Sequence, residues 1–177
     1  MDYTKIPDKI NNFNLYIDTA AVENRLMGVT DEVTLPSWEY MAETINLAGF
    51  AGEFESPTEG QLQNASIEIP FSNTSIQSME LVRKDTSPII MRSAQEFIDK
   101  TTGVKVYEGR VITVKGMTKT FNYGSLKKSG YGNPSVTKNI TYYKDEIDGK
   151  TITEIDKINF KFVVNGEDKL AQINDLV

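Results

Sequence analysis

Apolar and polar residues alternate along much of this chain, and a period of two residues is typical of β-strands with one buried face. Between Leu26 and Leu35, for example, Met27, Val29, Val33 and Leu35 alternate with polar or small neighbours. The same kind of pattern recurs in several segments of β-branched and aromatic residues. It predicts strands over residues 13–18, 26–35, 64–71, 104–115, 136–147 and 151–164.

Residues 89–98 fit two structures. Pro88 could open a helix there, but Ile89, Met91 and Phe97 also occupy alternating positions. The strand is favoured because residues 101–103, Thr-Thr-Gly, then form a turn into the strand predicted at 104–115.

The final hairpin is the clearest. Residues 136–147 and 151–164 flank the dipeptide Asp148-Gly149, which suits a tight turn. Its buried face is predicted to carry Ile158, Phe160, Phe162 and Val164.

One helix is predicted, over residues 73–84. Asn73 or Thr74 would cap it, and its apolar side would consist of Ile76, Met79, Leu81 and Val82. Several strands, one helix and no repeated βαβ order indicate a mainly β fold, an antiparallel sandwich or small barrel with one packed helix. The length of 177 residues fits a single domain spanning 1–177.

Residues 37–61 are predicted to form a long extended loop, because Pro36 ends the preceding strand and glycines, prolines and acids follow. This loop is unusually rich in large apolar side chains, which are costly to leave in water. They could fold back on the subunit's own core or contact another subunit. These residues are Trp38, Tyr40, Met41, Ile45, Leu47, Phe50 and Phe54.

Composition argues against most enzymes and metal sites. The chain has no cysteine and no histidine, so it lacks thiolate ligands and the commonest general base and metal ligand. Carboxylate pairs such as Glu53 and Glu55 keep a glycosidase-like site conceivable, although solvated charge explains them more simply. We therefore predict no catalytic residues, no metal and no cofactor.

Charge is distributed unevenly. The net charge of -6 opposes binding to nucleic acid or anionic membranes, yet residues 115–144 contain six lysines and no acid. Lysines interleaved with aromatics could bind single-stranded nucleic acid. A surface that docks an acidic protein is the favoured interpretation. Its candidate residues are Lys115, Lys119, Lys127, Lys128 and Lys138.

Two segments carry a family resemblance. At the N-terminal end, IPDKINNFNLYID is followed by VTDEVTLPSWEYM; near the C-terminus, Asp148-Gly149-Lys150 precedes the motif Val163-Val164-Asn165-Gly166-x-Asp168-x-Leu170. Together they resemble the major tail tube proteins of contractile-tailed phages and related R-type, phage-tail-like bacteriocins. The segment 72–138 departs more from that family.

The resemblance implies a structural subunit of hexameric rings that stack into the hollow tube inside a contractile sheath. It further implies self-association, partners in the sheath, baseplate and tail terminator proteins, and DNA that passes through the lumen without specific binding. The lysines listed above would then face the sheath, and residues 37–61 would contact other subunits. With no signal-peptide run or membrane anchor in the sequence, we expect synthesis in the bacterial cytoplasm and incorporation into a virion tail or bacteriocin particle.

Two other functions remain open. A type VI secretion tube protein would share the fold and the rings, although the Asp-Gly-Lys and Val-Asn-Gly segments favour the phage branch. A monomeric carbohydrate-binding β-sandwich would use exposed aromatics such as Trp38 and Tyr40 as sugar platforms.

Overall fold

Antiparallel strands dominate the computed structural model, which describes residues 4–176. Besides a 3-10 turn at Val22–Asn24, the described part contains two helices, α1 (Ile76–Arg83) and the short α2 (Ala171–Asn174). Its ten strands are β1 (Lys5–Ile17), β2 (Tyr40–Ile45), β3 (Phe54–Leu62), β4 (Ser66–Pro70), β5 (Ile89–Asp99), β6 (Lys105–Asn122), β7 (Ser135–Ile147), β8 (Lys150–Asp156), β9 (Lys161–Val164) and β10 (Glu167–Asp168).

Eight of these strands form one sheet: seven follow the order β1-β5-β6-β7-β8-β9-β10, and β4 pairs with β7 outside that order. Strand β7 is its centre: β6 pairs along one side, while the other side is shared by β4 and β8. β4 pairs with the first part of β7, from Ser135 to Asn139, and β8 with the second part, from Tyr142 to Ile147. The prediction of a mainly β, antiparallel fold is confirmed.

The core forms where alternate residues of the long strands point inward. In β4 both Ile67 and Ile69 are buried, and in β6 so are Ile112 and Val114. Helix α1 closes over them with the fully buried Leu81. Each such side chain contributes about 1.5–3 kcal/mol through removal from water.

Helix α1 begins two residues after the nearer of its predicted caps. Ser75 caps it instead: the Ser78 backbone N–H donates to the Ser75 hydroxyl, and the Ser75 N–H donates to the Ser78 hydroxyl, both at 3.0 Å. This reciprocal arrangement satisfies two donors that a helix end leaves unpaired. Asn73 accepts a bond from the Gly132 N–H at 3.0 Å. The predicted helix is therefore confirmed, with a later start.

The predicted strand at 26–35 is wrong. Its alternation is genuine, since Leu26 is buried and Val33 and Leu35 pack on the core, but no strand lies alongside to provide a ladder. Only isolated bridges form near it, between Tyr16 and Arg25 and between Val29 and Phe71.

The predicted strand at 151–164 is two strands, β8 and β9, separated by a turn. The Asp156 carboxylate accepts the backbone N–H groups of Ile158 and Asn159, both at 3.0 Å, and this side-chain cap reverses the chain. Ile158 is consequently exposed, against the prediction, whereas Phe162 is buried as predicted. The strand at 89–98 and the turn after it are confirmed as β5 and the β5–β6 turn.

Candidate assembly surface

The segment predicted as an extended loop, residues 37–61, is largely a β-hairpin. Strands β2 and β3 form a two-stranded sheet separate from the main one. Its register pairs Ile45 with Phe54 and Ala42 with Pro57, and the ladder is interrupted between Tyr40 and Ala42. We call β2, β3 and the turn between them the hairpin.

The hairpin is attached to the main sheet by aromatic and charged contacts at its root. The Trp38 ring meets the Tyr143 ring edge-on, with centroids 5.4 Å apart, and the Lys157 ammonium lies 5.5 Å from the Trp38 centroid. Tyr40 packs against Phe162 at 6.1 Å. Trp38 therefore packs within its own subunit and is partly buried there.

Gly60 and Leu170 form a second attachment. Gly60 has a φ of +77°, and a Cβ at this position would lie 2.1 Å from the Leu170 Cδ2. Leu170 is buried, so the absence of a side chain at residue 60 lets the C-terminal segment pack under the hairpin.

We expect Gly60→Ala to destabilise the subunit by about 2–3 kcal/mol, because it combines a strained positive φ with overpacking of Leu170. The measurement is urea unfolding of the subunit. Gly49→Ala is the matched control, since Gly49 lies in the same hairpin with a φ of +98° and nothing within 4 Å of its would-be Cβ. Equal losses in the two variants would show that contact with Leu170 is unimportant.

One face of the hairpin carries most of its large apolar side chains. Alternation within β2, combined with the Ile45–Phe54 pairing, places Met41, Ile45 and Phe54 on this face, with Glu43 between Met41 and Ile45. The opposite face carries Ala42 and Thr44 with their partners. Met41, Leu47, Phe50 and Phe54 are each about half exposed or more, at 53%, 60%, 57% and 48%.

At the tip, the rings of Phe50 and Phe54 are 5.9 Å apart, and the Phe50 N–H donates to the Leu47 carbonyl at 3.2 Å. The exposed apolar side chains thus form a strip that runs from the tip along one face and is interrupted by Glu43 between Met41 and Ile45. Of the seven residues predicted for subunit contacts, the structure places Met41, Ile45, Leu47, Phe50 and Phe54 in this strip and Trp38 and Tyr40 at the root.

The hairpin is also strongly acidic. Residues 37–62 contain five glutamates and no Lys or Arg. Within the described residues, no hydrogen bond or ion pair to a cation is made by Glu43, Glu53 or Glu55.

Four of the five lysines predicted as a basic surface are indeed exposed. Lys115 and Lys119 lie in β6, and Lys127 and Lys128 lie in the loop that follows. We call residues 115–134, which comprise the end of β6 and the loop after it, the lysine loop. Exposed apolar side chains accompany the lysines, among them Met117, Phe121, Tyr123, Leu126 and Tyr131.

The prediction is wrong for Lys138, which is only 1% exposed. Its ammonium donates to the Asp85 backbone carbonyl at 2.9 Å and to the Asp85 carboxylate at 3.2 Å. Burial lowers the pKa of Lys138, while Asp85 opposes that shift. The pKa of Asp85 is lowered by the hydroxyl and backbone N–H of Thr118 and by Lys138. This pair ties the segment after α1 to β6 and β7.

Hydrogen bonds organise the root of the lysine loop. The Ser125 N–H donates to the Gly132 carbonyl at 2.8 Å, and the Gly132 N–H donates to the Ser72 carbonyl at 3.0 Å. Gly124 has a φ of +74°, and a Cβ there would lie 2.0 Å from the Gly132 oxygen. Lys127 and Lys128 therefore project from a loop whose root is held by backbone hydrogen bonds.

Among residues 4–176, no cluster of three or more His, Cys, Asp or Glu side chains is arranged to hold a metal ion. No helix in that range is both long and apolar enough to cross a membrane.

The chain also matches a known protein family. The model of the family described as phage tail tube protein FII matches residues 7–176. The chain belongs to this family. The tail tube interpretation of the sequence is thereby confirmed, as is the resemblance on which it rested.

Two known proteins match this tail tube protein over most of its length. The tail tube protein of Escherichia phage P2 is 24% identical over 171 residues, covering 94% of this chain and 95% of that protein. A solved structure of the sheath/tube terminator of the PVC extracellular contractile injection system, in its extended state, matches with a TM-score of 0.51 and 10% identity. That match covers 79% of this chain and 96% of the other, and it shows a shared fold.

Sequence reasoning missed two features of this tail tube protein, the Gly60–Leu170 attachment and the buried Lys138–Asp85 pair. Each joins positions far apart in the chain, so no local pattern reveals the partner. The sequence contains Gly60, but nothing in it distinguishes this glycine from Gly49 and Gly52 of the same segment.

Proposed function

We propose that this tail tube protein assembles with copies of itself into hexameric rings, which stack into the inner tube of a contractile particle. The single observation that carries the proposal is the apolar strip of the hairpin, which is exposed in a subunit that already has a complete core. Exposed apolar surface of this kind marks interaction sites. The strip would be buried against a neighbouring subunit, with Trp38 and Tyr40 fixing its root.

Strand edges support ring closure. Along residues 6–14, β1 pairs with β5 on one side and with no other strand in the described part of the chain. Ile6 and Ile10 of this edge are exposed. An unpaired edge invites pairing with another chain, and closing a barrel across subunits removes it. Head-to-tail contacts that close around the ring and continue along its axis produce a tube.

The remaining partners follow from that role. The tube would sit inside a contractile sheath and end at baseplate and tail terminator proteins, in a virion tail or a headless particle made in the bacterial cytoplasm. The net charge of -6 would let DNA pass through the lumen without binding. The exposed lysines of the lysine loop could contact the sheath, and no enzymatic step is part of the proposal.

Negative-stain electron microscopy of the concentrated full chain, with sedimentation, tests self-assembly. Rings or hollow filaments of uniform diameter are expected. A chain that remains monomeric at every concentration, and also when added to purified baseplates, would contradict the proposal. Glycan binding by such a monomer would support the carbohydrate-binding alternative.

A further inference from the structure

Two surfaces of the subunit are complementary in charge and alike in apolar character. The hairpin segment 37–62 has five glutamates without a cation, and residues 115–144 have six lysines without an acid. Both expose large apolar side chains, led by Phe50 and Phe54 on the hairpin and by Phe121 and Tyr123 on the lysine loop. Each surface therefore carries charges that could neutralise those of the other.

Several charged side chains elsewhere on the subunit are paired internally. Lys5 pairs with Glu108 at 2.5 Å, and Arg110 pairs with Asp145 at 2.6 Å. Similar pairs join Lys84 to Asp18, Lys105 to Glu96, Lys144 to Glu146 and Lys161 to Glu154. Within residues 4–176, no ion pair or hydrogen bond engages the ammonium of Lys119, Lys127 or Lys128.

The two surfaces do not satisfy each other within one subunit. The aromatic contact at the hairpin tip is internal, between Phe50 and Phe54, and the one on the lysine loop is also internal, between Phe121 and Tyr123 at 5.4 Å. No hydrogen bond, ion pair or ring contact joins the hairpin to residues 115–134 in the described chain.

The loop that carries Lys127 and Lys128 joins β7 far from the hairpin root. The hairpin root packs against Tyr143 of β7, and Lys115, at the start of the lysine loop, pairs with Tyr142 beside it. The loop with Lys127 and Lys128 instead enters β7 at Ser135, the first residue of that strand. The rise of a β-strand places Tyr143 and Ser135 about 26 Å apart.

We propose that the hairpin of one subunit docks on the lysine loop of a second copy of this chain, with Glu53 and Glu55 facing Lys127 and Lys128. This docking rests on the proposed self-assembly. It adds which surface of the second copy binds the hairpin. Charge would select and orient the partner while the apolar side chains of both surfaces are buried together. The organised root of the lysine loop holds the receiving surface in place before contact.

The sheath is the other conceivable partner of the lysines. The second copy is favoured because its complementary surface is present in this chain. The two possibilities predict different defects when the lysines are reversed.

The experiment measures the critical concentration for tube formation by the full chain, using pelleting and negative-stain microscopy. Lys127→Glu/Lys128→Glu and Glu53→Lys/Glu55→Lys are each expected to raise that concentration about tenfold or more. The quadruple variant, which restores opposite charges, should return to within about threefold of the native value. Lys100→Glu/Lys150→Glu is the matched control, because it reverses two exposed lysines outside the lysine loop and should leave assembly unchanged.

Circular dichroism melting of each variant verifies that the subunit still folds. Native-like assembly of Lys127→Glu/Lys128→Glu would overturn the inference, and its failure to bind purified sheath protein would then assign these lysines to the sheath. Failure of the quadruple variant to recover would show that the surfaces have different partners. If the native chain itself forms no rings or tubes, the proposed function fails instead.

Discussion

Replacing Phe54 with serine is expected to abolish tube formation at concentrations where the native chain assembles, without unfolding the subunit. Phe54 lies in the middle of the apolar strip, packed against Phe50 and cross-strand from Ile45, and 48% of its surface is exposed. An aromatic side chain at the centre of an interface contributes about 2–4 kcal/mol, which corresponds to roughly 30- to 1000-fold in affinity. Every subunit of the tube loses that contribution.

The subunit itself should be nearly unaffected, because a side chain outside the core changes stability by about 0.5 kcal/mol or less. Thermal melting and the critical concentration are therefore measured on the same samples. Val22→Ser is the control: Val22 is 84% exposed on the 3-10 turn and lies outside the strip. Normal tubes from Phe54→Ser, or an equal defect in Val22→Ser, would remove the strip from the proposed interface.

The long strands could be predicted from sequence because their own residues determine them. In β5 and β6, apolar residues at alternate positions are buried, such as Ile89 with Met91 and Ile112 with Val114. The alternation at 26–35 misled because burial on one side does not create a strand. A ladder partner is also needed, and the partner's absence is a property of the whole topology.

In the hairpin, by contrast, strands form where the sequence predicts a loop. Its glycines, Pro57 and glutamates disfavour strands, so the segment resembles a loop, yet β2 and β3 pair with each other. Its apolar residues were correctly singled out as needing a partner surface. The sequence could not divide them into root and strip, because that division depends on Tyr143, Phe162 and Leu170, which lie about a hundred residues away in the chain.

Lys138 illustrates why charge alone misassigns a surface. It occupies an inward position of β7, between the buried Val136 and Ile140, and a lysine in such a position is rarely buried unless it is paired. The partner, Asp85, comes from the segment after α1. From sequence, this lysine could not be distinguished from the exposed ones around it.

Asp85→Ala is accordingly expected to destabilise the subunit by about 2–3 kcal/mol, which is less than for a fully buried pair because the Asp85 side chain is 43% exposed. The variant leaves the Lys138 ammonium buried without its counter-charge and deprives the Thr118 N–H of its acceptor at 2.5 Å. Urea unfolding at neutral pH provides the measurement. The double variant Asp85→Ala/Lys138→Met should recover half or more of the loss, since it removes the buried charge and keeps a side chain of similar length.

The pH dependence gives an independent check. The pKa of Asp85 lies below its ordinary value of 3.8 in the folded state, so its contribution is present above that pH and is lost as the pH falls through the lower folded value. The difference in unfolding free energy between the native chain and Asp85→Ala should therefore be constant near neutrality and shrink below about pH 4. A difference that persists in acid, or a double variant no more stable than Asp85→Ala, would mean that the aspartate acts through packing and not through the buried lysine.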